Sequence, residues 1–582
     1  MRKKYLLLVF TLFICGMQMK AQDFEDATTA VKNMGLGWNL GNTLEAYSQT
    51  ETDFTKATYW GQQDLSSETC WGQYITKPEL LKMIKDAGFG AIRVPVTWFN
   101  HMDIDGNVNS AWMARVHEVV DYVINQGMYC ILNVHHDTGA DGSSFKSWIK
   151  ADESNYTQNK ARYEKLWKQI AEEFKDYDHH LLFESYNEML DKLNSWCYAS
   201  MNASGQYNES IATSAYNAIN SYAKSFVSAV RGVGGNNTNR NLIINTYCAS
   251  NGVGTWSTHL KEPLTKLNIP EGESSHIIFE VHAYPDIVTK DGSGNITGDK
   301  KISDIKKETD DMISLLKSEL VSKGAPLIIG EWGTSNVDKA ETDYDQRPAL
   351  MKQFCEYFVQ QCKANNIGTF YWMGISDGAS RIFPAFSQTD LALWLLQAYH
   401  GSSYNPVLPD RKSDYSSSCV SCTVDFNQQW AEFNLSKGNF TVNDYIRMVL
   451  ELEEAPASGL LHVKIYGSSE ITKDITTASS TISFTANMGT IKGITLQCKK
   501  NSGSVRIKGI WLKRKSGEMV PCDPSVNWGC VMKDVSIYTT TGINSVIQDQ
   551  HLDGRIYDLL GRQQNNLLEK SIYIKNGKKF IK

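Results

Sequence analysis

The chain has no excess of cations: 58 Lys and Arg stand against 64 Asp and Glu, a net charge of −6. A phosphate-binding surface needs clustered Lys and Arg, so nothing here points to nucleic acid as a partner. Beyond the N-terminal segment no apolar run is long enough to span a bilayer. No Gly-x-Gly-x-x-Gly turn follows the first strand-like segment, which weakens a nucleotide-binding reading. Cys419-Val-Ser-Cys422 has the spacing of half a zinc site, but no second pair of cysteines or histidines follows suitably, so neither a metal nor a cofactor is expected. The 12 cysteines are scattered along 582 residues rather than packed as in short disulfide-rich domains, and most read as buried thiols. Cys522 and Cys530 are spaced to close a surface loop by a disulfide.

What is present is organised in three stretches. Arg2-Lys3-Lys4, an apolar segment from Tyr5 to Met17 and Lys20-Ala21-Gln22 have the order of an export signal, residues 1–21, after which no membrane anchor remains. Ile14 before Cys15 argues against a lipid anchor. The mature protein is then expected to be secreted or held at the cell surface. Residues 22–403 alternate short apolar runs with helical periodicity. The strand candidates are Met34 to Leu40, Ala91 to Val96, Cys130 to His136, Leu181 to Glu188, Asn241 to Thr246, Ile277 to Tyr284, Leu327 to Glu331 and Thr369 to Met373. Eight strands alternating with helices predict an α/β fold, a (β/α)8 TIM barrel. Residues 404–420, with Asn405-Pro-Val-Leu-Pro-Asp410, read as a linker. Alternating runs then predict a small all-β, sandwich-like module over 421–520, with a short β-rich tail in 521–582.

A barrel collects its chemistry at the C-terminal ends of its strands. Arg93 lies on the second run, and His135, His136 and Asp137 end the third. Asn187 and Glu188 end the fourth, His282 and Tyr284 the sixth, Glu331 the seventh and Trp372 the eighth. Polar groups at six strand ends are hard to explain as core, because buried polar groups need partners. Two glutamates facing one cavity are what hydrolysis of a glycosidic bond requires. Glu184 reads as a structural residue or a support behind the site, Glu280 as a buried partner for an Arg or His, and His179-His180 as a surface pair. A metal site from His135, His136 and Asp137 is disfavoured because adjacent strand residues point to opposite faces.

Gly37-Trp-Asn-Leu-Gly-Asn-Thr-Leu-Glu45, Ile92-Arg-Val-Pro-Val-Thr-Trp98, Leu132-Asn-Val-His-His-Asp137, Asn187-Glu188, His282-Ala-Tyr284, Ile328-Ile-Gly-Glu-Trp332 and Tyr371-Trp372 together resemble glycoside hydrolase family 5. Several of these motifs look most like its subfamily of endoglucanases, xyloglucanases and mixed-linkage glucanases. Met189 stands where many members have Pro, a departure that bears on the local turn. The resemblance implies a secreted, retaining endo-β-1,4-glucanase acting on a β-glucan polysaccharide, with xyloglucanase, β-mannanase or a non-catalytic carbohydrate-binding protein as alternatives. It implies Glu331 as nucleophile and Glu188 as acid/base. Arg93 and Tyr284 would hold the nucleophile, Asn187 would bond the sugar 2-hydroxyl, and His135 and His282 would line the scissile-bond subsite. Trp372 would stack on a sugar, with His136 and Asn42 as further contacts. The β module would bind carbohydrate through Trp430, Tyr445, Tyr466 or Trp511, or act as a spacer. The segment from Gly554 to Lys579 resembles the sorting domain read by the type IX secretion machinery of Bacteroidetes.

Overall fold

The computed structural model describes residues 24–47, 64–142, 145–201, 206–339, 341–436, 440–524, 527–528, 530–539, 556–558, 572–575 and 578–581. The N-terminal export-type segment lies outside them.

Each of the eight apolar runs forms a strand: β1 (Leu36–Asn39), β2 (Ala91–Val94), β3 (Tyr129–Asn133), β4 (Leu181–Glu184), β5 (Leu242–Asn245), β6 (Ile277–Ala283), β7 (Leu327–Trp332) and β8 (Gly368–Trp372). They pair in parallel, each with its sequence neighbour, and β8 closes on β1 to complete the barrel. Every strand residue is buried, as expected where helices cover the outside and side chains fill the inside. Helices at Pro78–Ala87, Ser110–Ile124, Glu153–Glu173, Glu209–Val233, Ile302–Glu319, Pro348–Ala364 and Thr389–His400 form that cover. The first begins with Pro at its first turn and ends at Gly88, whose φ of 116° is left-handed; a Cβ there would meet the Tyr404 hydroxyl at 2.4 Å.

The barrel interior is layered. At its N-terminal end Ile131, Leu182, Ile243, Ile278, Ile328 and Phe370 pack with Ala27, Ala30 and Val31 of the helix Ala27–Asn33, an apolar plug. Above the plug the inward residues turn polar: Asn39, Arg93, Asn133, Glu184, Asn245 and Glu280 are all fully buried. Asn39 lies in register with Arg93, Asn133 with Glu184 and Asn245 with Glu280.

Six of the eight strands, all but β7 and β8, are shorter than their apolar runs. β4 stops at Glu184, so Glu188 stands on the following loop and not on the strand. Beyond the strand end Asn245 donates from Nδ2 to the Tyr186 carbonyl at 2.6 Å. Likewise β3 ends at Asn133, leaving His135 and His136 on the loop beyond it.

The C-terminal module consists of two antiparallel sheets with a shared core. One orders Ser479–Ser483, Tyr445–Leu452, Gly503–Arg514, Ser418–Phe426 and Cys530–Thr539; the other orders Glu470–Ile475, Leu461–Tyr466, Gly493–Cys498, Glu432–Ser436 and Asn527–Trp528. Its strands thus run past both ends of the expected 421–520. The expected linker is packed. Asp410 pairs with Phe386 and accepts from Thr389 at 2.6 Å, and the Arg411 guanidinium lies 3.9 Å from the Phe383 ring centre. The Cys522 and Cys530 thiols donate to the carbonyls of Leu435 and Glu432, and no disulfide joins them. Of the tail, Ile556–Asp558, Ile572–Lys575 and Lys578–Ile581 form a three-stranded antiparallel sheet. Among the described residues no helix is long and apolar enough to cross a membrane.

Candidate active site

Arg93 organises the polar layer. From β2 its guanidinium reaches Glu184 on β4 with Nε and Nη2 at 2.6 and 2.8 Å, a bidentate pair. Nη1 donates to Glu331 Oε1 at 2.7 Å and to Asn39 Oδ1 at 3.0 Å, while Nη2 also donates to Asn187 Oδ1 at 3.0 Å. Five planar donors thus hold three strands and one loop in fixed geometry.

Glu331, on β7, is 5 % exposed and receives a second donor, the Tyr284 hydroxyl, on Oε2 at 2.8 Å. Burial, and then the Glu331 charge, raise the Tyr284 phenol well above its ordinary range, so it serves as a donor throughout. Glu188 is more open, its side chain 24 % exposed, and its Oε1 lies 2.9 Å from His282 Nδ1. Burial alone would lower the His282 pKa, but the carboxylates of Glu331, Glu188 and Glu280 outweigh it and push it up to about 10. One oxygen of Glu188, one of Glu331 and a ring nitrogen of His282 lie within 4.8 Å of one another. That spacing would admit a cation by distance, but both oxygens of Glu331 are already taken by Arg93 and Tyr284.

His135, Nε2 3.9 Å from Glu331, is driven well below its ordinary pKa by burial and by the neighbouring cations, and so is neutral. Burial likewise lowers His136 to about 4. Asp137 faces away, accepting from the Trp98 backbone N–H at 2.8 Å and the Trp148 indole at 2.6 Å, so it and the two histidines do not converge. The Trp372 ring lies parallel to His135, 5° between planes at 6.0 Å. A cavity of about 270 Å³ is lined by His135, His136, Asn187, Glu188, Tyr284, Glu331 and Trp372, together with Thr334, Ser335, Val337, Asp338 and Lys339 of the loop after β7. Arg93 and His282 lie beneath it.

The structure therefore gathers every sequence-predicted site residue but one. Asn42 does not line the cavity; at φ 59° it turns the chain, and its backbone N–H goes to the Glu45 carboxylate. Sequence reasoning missed Asn39 and the 334–339 loop, and left Glu184 without its partner. A charged residue inside an apolar run was the signal for Glu184.

A closed barrel that carries two carboxyl groups this close at its C-terminal mouth, with unequal exposure and partners, defines a glycoside hydrolase. The family model for cellulase, glycosyl hydrolase family 5, matches residues 51–378, and the chain belongs to that family. It is 32% identical over 368 residues to Endoglucanase B of Neocallimastix patriciarum, spanning 62% of this chain and 68% of that one. To Endoglucanase A of Clostridium longisporum it is 31% identical, spanning 61% of each. Among solved structures, a broad-specificity endoglucanase from an uncultured bacterium is 63% identical, with a TM-score of 0.61, over 66% of this chain and 98% of that one.

Proposed function

We propose that the chain is a retaining endo-β-1,4-glucanase in which Glu331 attacks the anomeric carbon and Glu188 protonates the leaving oxygen. Glu188 then takes a proton from water as the glycosyl-enzyme ester is hydrolysed. The observation that supports this best is that one oxygen of each carboxyl group comes within 4.8 Å of the other, a close approach of the pair. Retaining enzymes hold the pair about 5–5.5 Å apart, whereas inverting ones leave about 6.5–9.5 Å for a water. Arg93 and Tyr284 offer Glu331 a cation and a hydroxyl, a setting that suits an anion ready to attack. Arg93 also occupies Asn187 Oδ1, which leaves the Asn187 amide N–H groups to donate to the sugar 2-hydroxyl.

Internal cleavage of a long chain needs contacts beyond the scissile bond. Trp196, on the loop after β4, is 42 % exposed and Trp256, on the loop after β5, 61 % exposed; Trp256 lies 5.6 Å from Tyr198. Exposed rings at the mouth suit stacking on sugar faces. Cellulose-type and mixed-linkage β-glucan are the proposed substrates. A relative described as a broad-specificity endoglucanase is reason to test xyloglucan and β-mannan, the alternatives left open by the sequence, alongside the glucans. Carboxymethylcellulose, barley glucan, xyloglucan and mannan, assayed with the wild type and Glu331→Ala, should show hydrolysis of the glucans by the wild type alone. Undiminished activity in the variant would refute the nucleophile role.

The export signal and sorting tail together propose release through the type IX machinery, with the tail removed. Intact-mass measurement of the secreted form checks this. For the β module a supporting role is proposed over carbohydrate binding, since Trp511 is buried and, of the four aromatic candidates, only Trp430 is largely exposed.

A further inference from the structure

Glu280 has no part in the mechanism above, yet it sits directly beneath it. It lies two residues before His282 on β6, so both side chains point into the barrel, one layer apart. The residue is fully buried and neither of its oxygens makes a hydrogen bond of ordinary length; nor does His282 Nε2. Glu280 Oε1 stands 3.4 Å from Arg93 Nε and 3.5 Å from His282 Nε2. A carboxyl group so placed is costly unless a charge faces it. The fold makes room for it deliberately: a Cβ on Gly330 of β7 would fall 1.5 Å from Glu280 Oε1.

We infer that Glu280 is a positioning residue: through His282 Nε2 it raises the proton affinity of the His282–Glu188 pair and so keeps a proton available to the acid/base. The imidazole is a bridge, with Nε2 toward Glu280 and Nδ1 toward Glu188 Oε1. The charges around it are unequal. Arg93 is matched chiefly by Glu184, and three carboxyls face the imidazolium: Glu188 and Glu331 at Nδ1, 2.9 and 3.5 Å away, and Glu280 alone at Nε2. Tyr284 and His135 face the same space as neutral groups. Burial and the Glu184 charge raise the Glu280 pKa, and Arg93 and His282 oppose them by favouring its anion.

The inference rests on the glucanase reading and is tested apart from it. Glu280→Gln keeps the shape and removes the anion. Losing that anion disfavours the protonated pair, so the basic limb of the kcat/KM profile should move about one unit toward acid, a tenfold loss on that limb. A uniform loss at every pH, or an unmoved limb, would overturn the inference. Gly330→Ala, which displaces the carboxyl group, should move the limb the same way. If neither variant folds, ¹⁵N spectra of the wild-type histidines decide: both ring nitrogens of His282 should stay protonated at pH 8, and a neutral ring at pH 7 would overturn the inference. Activity surviving in Glu331→Ala would instead count against the glucanase reading itself.

Discussion

Arg93 is the residue on which the site depends, because one guanidinium fixes Glu184, Glu331, Asn39 and Asn187 together. Lysine offers a charge but not a planar fork. Arg93→Lys should therefore fold but lower kcat by about 10²-fold, the scale of a misplacement near 1 Å, in steady-state assays. Arg93→Met takes the guanidinium away from the buried carboxyl groups of Glu184, Glu280 and Glu331 and should cost about 3–5 kcal/mol in urea unfolding. Glu331 and Tyr284 were readable in the sequence because each closes an apolar run, and Arg93 because it is a charge set inside one. Glu280 was readable as a buried partner for an Arg or His, and Arg93 and His282 do stand beside it, but the space made by Gly330 was not, since that comes from pairing across the barrel.

At the scale of elements, the loop after β4 matters more than the strand. It carries Glu188, and buried Asp191 holds it, accepting backbone N–H groups from Leu193 and Ser195 at 2.9 and 3.0 Å and from Ser200 at 2.6 Å. Tyr247 locks the same loop through Ser195 O and Asp191 N. Asp191→Ala leaves these donors unmet, each unsatisfied group costing about 1–3 kcal/mol, and should lower both the melting temperature and kcat. The eight strands were legible because both barrel faces are covered, which makes each strand a continuous apolar run. Their ends were not: no Gly or Pro separates Glu184 from Ser185-Tyr-Asn-Glu188, and the Asn245 amide that bonds the Tyr186 carbonyl beyond the strand end is distant in sequence. The helix Thr389–His400 escaped the pattern as well, its apolar residues running almost unbroken from Leu391 to Leu396.

As a whole, the molecule joins barrel and β module through one apolar core. Tyr74, Ala379, Ile382, Phe383 and Ala385 from barrel loops pack with Val420, Phe433, Leu450 and Ile510 of the module, and the Tyr74 hydroxyl donates to the Pro524 carbonyl at 2.8 Å. The same post-β8 segment supplies Arg381, which bonds Gly41 O at 2.9 Å beside Trp372. Phe383→Ala should thus cost about 3–5 kcal/mol, read as one calorimetric transition that moves down as a unit. Two separate transitions would show the module to be an independent attachment. Composition change alone suggested a linker at 404–420, since contacts between distant segments leave no periodic trace in sequence. The claim that unites these scales is a close carboxyl pair acting by double displacement. It is tested most directly by the anomer first released from cellohexaose, followed by ¹H NMR before mutarotation. The β anomer is predicted to appear first; an α anomer appearing first would contradict the account.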